Sequence, residues 1–166
     1  MFELKPLSRD AVPVALEKAH RYRLLNEPLE AESICRDVLE VEPENQEALV
    51  TLLLSLTDQF DDHLSTAIEP ARAALSRLRD DYSRQYYSGI LCERRAKAHL
   101  KRGGPHAGHG AYAWFREAME HFEKAIDLRP PANDDAILRW NTCARILMSN
   151  PHLVPEKEEA FHTWQE

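Results

Sequence analysis

Four histidines surround one interruption in the chain. His99 precedes the stretch Gly103-Gly104-Pro105-His106-Ala107-Gly108-His109-Gly110, His106 and His109 lie within it, and His121 follows it. Neutral imidazoles suit zinc or nickel, and Glu117, one helical turn before His121, would add a carboxylate. Antiparallel packing of the flanking segments would bring these groups together, which makes His99, His106, His109 and His121 a candidate metal set. The competing reading is plain polarity: His106 and His109 as loop residues, His99 filling a core position and His121 at the surface. Ligands on a Gly-rich loop would also lose much conformational entropy on binding a metal.

A second group carries charge chemistry. Between Arg94 and Arg102 there are five basic residues and no acidic one: Arg94, Arg95, Lys97, Lys101 and Arg102. Spacings of three and four put Arg94, Lys97 and Lys101 on one helical face. Such a face suits an acidic peptide or a terminal carboxylate held by charge-assisted hydrogen bonds. It equally suits a solvated face neutralised by neighbouring carboxylates. The segment from Glu27 to Glu47 is the opposite, with eight acidic residues and one basic. Its local excess equals the net charge of −7 carried by all 166 residues, so the remainder is formally neutral. With a pI near 5.6 and no aromatics interleaved with the basic run, the nearest being Tyr86 and Tyr87, nucleic acid is not an expected partner.

Recognisable catalytic patterns are missing. Gly103-Gly104 is not followed by the Lys-Ser/Thr of a phosphate loop, and neither a nucleophile elbow nor a His-Glu-x-x-His pair occurs. Glutamates and histidines are plentiful, but they are the ordinary composition of solvated helix faces, so neither catalysis nor a cofactor is expected. Cys35, Cys92 and Cys143 are odd in number, scattered and set among apolar residues, as reduced thiols used in a core would be. No basic segment followed by an apolar one opens the chain, and the apolar run around 49–56 is far shorter than the roughly 20 residues of a membrane span. The expectation is a cytoplasmic protein without membrane association.

The elements that must position these groups are helices. With 43% hydrophobic and 30% charged residues, only five Gly, and abundant Ala, Leu, Glu and Arg, the composition favours an all-α fold. Between 28 and 41, Leu29, Ile34, Cys35, Val38 and Leu39 recur at helical spacing, Pro28 stands in the first turn and Pro43 ends the helix. The same periodicity predicts helices over 10–25, from an Asn45 N-cap through Phe60, and over 63–79, 81–102, 111–128 and 134–148. The run 103–110 is expected as a loop, because Gly loses entropy in a helix and Pro clashes with the preceding turn.

Two of these helices repeat. Ala31, Cys35, Val38 and Pro43 are spaced by 4, 3 and 5, and Ala118, Phe122, Ala125 and Pro130 share those spacings. Ala67, Ala71 and Ala74 keep the first two, with Arg79 where Pro would fall. Two-helix units of about 34 residues with this pattern resemble tetratricopeptide repeats. In the first helices, Ala19 and Tyr22 fit the family's small and aromatic positions, as do Ala96 and His99, while Leu53 stands where unit two should have its small residue. Units one and two are separated by 36 residues and units two and three by 51, so unit three carries an insertion, expected mostly in the glycine-rich loop.

The resemblance implies a right-handed superhelix of about three helix-turn-helix units and a C-terminal capping helix. An N-terminal segment, 1–10, would lead into an array over 11–148, divided at about 11–44, 45–80 and 81–131 and followed by a helix over 132–148. It further implies a concave groove lined by the first helix of each unit, facing Arg94, Lys97 and Lys101 inward, with Arg139, Asn141 and Arg145 on the next such helix extending the surface, although Arg139 and Arg145 do not both point the same way as Asn141. The expected function is a non-catalytic scaffold that binds a protein or peptide, acidic or ending in a carboxylate. The family's full carboxylate clamp is absent, since Leu16 and His20 occupy the places where the first unit should supply Lys and Asn. A tail over 149–166, bearing Phe161 and Trp164 on one face, is expected to cap the last pair or to mediate weak self-association.

Overall fold

The structure is a computed structural model that describes residues 1–156. A single 3-10 turn, Arg9–Ala11, leads into α1 (Val12–Leu24), α2 (Pro28–Val41), α3 (Gln46–Thr57), α4 (Phe60–Ser76), α5 (Asp81–Arg102), α6 (Ala107–Leu128) and α7 (Asp135–Ser149). The fold is all-α, with no strand among the described residues. Each helix packs on the next, and α3 touches both α1 and α5, so alternate helices are neighbours as well as consecutive ones.

Local chemistry explains the boundaries. Asn45 caps α3, its side chain accepting from Ala48 N–H at 2.9 Å. Asp80 caps α5 by accepting from the N–H groups of Tyr82 and Ser83, and this bonding, with the Ser83 hydroxyl foremost, holds its carboxyl below the usual range. Pro28 opens α2 at a position where no intrahelical N–H bond is lost. The α4 helix begins at Phe60, three residues before the expected start, but His63 has non-helical angles of φ −131° and ψ 31°. The sequence boundary at 63 is therefore a kink between two helical pieces.

The repeated spacing is a buried stripe. Ala31, Cys35, Val38, Ala118, Phe122 and Ala125 are all fully buried, and Ala67, Ala71 and Ala74 are nearly so. Large side chains complete the core: Leu49, Leu53, Phe60, Phe115 and Phe122 are at most 1% exposed. Burying each is worth about 1.5–3 kcal/mol, against about 0.3–0.5 kcal/mol for exposed pairs such as Arg36–Glu32 and Arg72–Glu69. The stripe, not the charged surface, determines how the helices pack.

Burial at further positions of the repeated pattern is uneven. Ser55, which precedes Ala67 by the twelve residues that separate Ala19 from Ala31, is fully buried, as is Leu53. The Ser55 hydroxyl donates to Thr51 O at 2.7 Å, which lets a polar side chain occupy a core position. Tyr22, unlike the fully buried Ala19, is exposed.

The expected loop over 103–110 is corrected. The connection between α5 and α6 is only 103–106; α6 starts at Ala107, and Gly108 and Gly110 lie inside it. The extra length makes α5 and α6 the longest helices of the chain at 22 residues each. Of these two helical glycines, Gly108 is the closely approached one, and Gly110 has only ordinary contacts. A Cβ on Gly108 would lie 3.2 Å from His152 O, and one on Gly110 would lie 3.6 Å from His99 Nδ1. Only Gly103 and Gly104, at φ 66° and 98°, serve as conformational loop glycines. After α7 the chain returns to α6, with Leu153 buried and Val154 O bonded to His109 Nδ1 at 2.9 Å. The expected tail helix with Phe161 and Trp164 lies outside the described residues.

Candidate functional site

The basic face of α5 is engaged along its length. Arg94 Nη2 lies 3.5 Å from Asp58 Oδ1, Lys97 Nζ donates to Glu93 Oε1, and Lys101 Nζ donates to Asp61 Oδ2 at 2.8 Å. The Asp61 carboxylate raises the Lys101 ammonium above its ordinary value. The bland alternative of a neutralised face is therefore partly realised, but the neutralisation is incomplete.

Two carboxylates are each shared by two cations. Asp58, at the C-terminus of α3, accepts from Arg23 Nε of α1 at 2.9 Å and faces Arg94 of α5. Glu93, fully buried on α5, meets Lys97 and also Arg139 Nη1 of α7 at 3.4 Å. Four cations thus stand against two carboxylates across α1, α3, α5 and α7. Arg94, Lys97 and Arg139 retain 32%, 39% and 34% side-chain exposure, so the excess charge is presented to solvent. Burial acts to lower the Arg139 guanidinium, but Glu93 and the Tyr86 hydroxyl outweigh it and leave it raised.

A tyrosine row continues this face toward the start of α5. The Tyr82 and Tyr86 rings stack at 5.7 Å, and Tyr87 meets Tyr86 edge-on at 5.0 Å. Tyr82 Oη donates to Asn133 Oδ1 at 3.4 Å, tying the row to the turn before α7. Burial raises the phenols of all three, with Tyr87 pushed up to about 12, so they are neutral amphipathic surfaces near neutral pH.

Of the residues named from sequence, Arg94, Lys97 and Lys101 share this surface. Asn141 is half-buried and Arg145 exposed on α7, and neither joins the shared ion pairs. Arg139 is the α7 residue that does. Arg23, Asp58 and Glu93 were missed, although two signals existed. Glu93 precedes Lys97 in the favourable i,i+4 order, and an acid at a helix C-terminus, as Asp58 is, opposes the helix dipole unless a cation stands nearby.

The four histidines do not converge. His99 packs beside Gly110, His106 and His109 have ring centroids 6.1 Å apart, and His121 bonds the Gln85 side chain at 2.9 Å. Gln85 and His99 are separated on α5 by about 21 Å, from the helical rise of about 1.5 Å per residue. Antiparallel packing of α5 and α6 is present, but it places His121 opposite the first half of α5. His121 meets Cys92 and Glu117 instead.

The chain matches no family model, no curated protein and no solved structure.

Proposed function

We propose that the chain is a non-catalytic scaffold that binds an acidic segment of a protein or peptide, a C-terminal carboxylate included, on the face shared by α1, α3, α5 and α7. The supporting observation is the sharing of Asp58 and Glu93, each by two cations that are themselves part-exposed. An entering carboxylate would relieve the cationic excess through charge-assisted hydrogen bonds without breaking the existing pairs. The resemblance of the buried Ala31 and Ala118 patterns to tetratricopeptide repeats supports a superhelical groove as the setting.

Charge alone does not suffice. A part-exposed ion pair is worth about 0.2–1 kcal/mol, whereas micromolar affinity requires about 8 kcal/mol. The Tyr82 and Tyr86 rings supply the apolar contact that must accompany it, so the ligand class is an acidic segment carrying an apolar side chain. Cys35, Cys92 and Cys143 are each buried and unpaired, which supports a reducing, cytoplasmic compartment as part of the same proposal.

The test is fluorescence anisotropy of a labelled Asp/Leu peptide with a free C-terminus, titrated with the full chain at low and high salt. Binding that weakens with salt, and weakens about tenfold in Arg94→Ala, is expected. Salt-independent binding, or binding unchanged in that variant, would contradict the proposal.

A further inference from the structure

We propose that Cys92, Glu117 and His121 form a binding site for a divalent transition-metal ion, with Zn2+ the best match to their chemistry. Among the described residues, they are the one group of three potential ligands whose donor atoms all lie within 4.8 Å of one another. Zinc bonds of about 2.0–2.3 Å in a tetrahedron place donor atoms roughly 3.3–3.8 Å apart, so closing the site takes about 1 Å of side-chain movement.

The helices hold the donors in place. Glu117 and His121 are one turn apart on α6, and Cys92 faces them from α5, which makes its most extensive contact with α6. One ring nitrogen of His121 is already engaged by Gln85. The Gln85 Oε1 atom can only accept, so His121 Nδ1 donates to it and the lone pair resides on Nε2. This is the outer-shell hydrogen bond that fixes the tautomer of metal-binding histidines.

Charge and donor softness select the ion. Without metal, the buried Cys92 is a free cysteine that carries its thiol proton beside the Glu117 carboxylate, within 4.8 Å. A bound ion replaces that proton, releasing it to solvent and leaving thiolate and carboxylate to balance a charge of +2. The balance matters because Arg72, Arg95 and Lys124 lie in the electrostatic surroundings of Cys92 and His121, with Glu69 and Glu120 as further anions there. Sulfur and imidazole donors favour zinc, cobalt or nickel over magnesium or calcium. Glu117 is exposed, so a fourth position opens to water on its side.

Cobalt titration of the full reduced chain reads the thiolate directly. A near-ultraviolet thiolate-to-cobalt band is expected, displaced by Zn2+ and retained in Cys35→Ala, Cys143→Ala and the His106→Ala/His109→Ala double variant. It should vanish in Cys92→Ala. Because Cys92 is buried, exposed Glu117→Gln serves as a second variant, expected to keep the circular dichroism spectrum and weaken cobalt binding more than about tenfold. Absence of the band in the native chain, its survival in Cys92→Ala, or unchanged affinity in Glu117→Gln would overturn the site.

Discussion

Gly89 lies against the ring of Phe122: a Cβ built on Gly89 would stand 2.4 Å from Phe122 Cε1 and within 2.9 Å of two further ring atoms. This contact is one of the places where α5 and α6 approach closely, and the two helices make the most extensive helix-helix contact among the described residues. Phe122 is fully buried and belongs to the repeated Ala118, Phe122, Ala125 stripe.

Gly89→Ala would ordinarily help a helix by about 1 kcal/mol. Here the added methyl must displace a fully enclosed ring, an overpacking cost of about 1–3 kcal/mol. A net loss of stability in urea denaturation is expected, relieved when Phe122 is also changed to Leu. A stabilised Gly89→Ala variant would show that α5 and α6 are not in this register.

Asp58→Asn separates stability from binding. It removes the carboxylate shared by Arg23 and Arg94, with all three side chains less than a third exposed. Leaving two cations poorly paired is expected to cost about 1–3 kcal/mol in chemical denaturation. The same change raises the cationic excess, so affinity for the acidic probe peptide should rise while stability falls.

His99 gives a pH signature. Partial burial, then Arg95 and Arg102, hold its imidazole below the ordinary value of 6.5. The unfolded chain therefore takes up the proton first as pH falls. The contribution to stability is fully present above about pH 6.5 and is lost between that value and the lower folded one. Proton NMR should find the His99 midpoint below 6.5, and the Tm of His99→Gln should fall less from pH 7 to pH 5 than that of the native chain.

Much of the fold was legible because a buried helix face repeats in the sequence. The spacing of Ala31, Cys35 and Val38 and its copy at Ala118, Phe122 and Ala125 directly report which side chains are enclosed. The extent of α6 was not legible. Gly108 and Gly110 are poor helix formers, so local propensity does not report their place in a helix, and the 3.2 Å approach of a Gly108 Cβ to His152 O is a tertiary contact that no local pattern shows. The site divides in the same way. Arg94, Lys97 and Lys101 follow from helical spacing, whereas Asp58 and Arg139 meet α5 only through tertiary packing. His121 was recognised as a possible ligand, but its neighbours Cys92 and Glu117 depend on the antiparallel register of α5 and α6, which no local pattern encodes.

The central claim is that the part-exposed cations sharing Asp58 and Glu93 form the binding face. Its most direct test is a nitrogen-15 correlation spectrum of the native chain titrated with the labelled Asp/Leu peptide, with side-chain guanidinium and amide shifts followed together. Perturbations clustered at Arg23, Arg94, Lys97 and Arg139, with the Tyr82 and Tyr86 amides, are the predicted result. Binding that instead perturbs α2 and α4 while leaving those residues unmoved would contradict it.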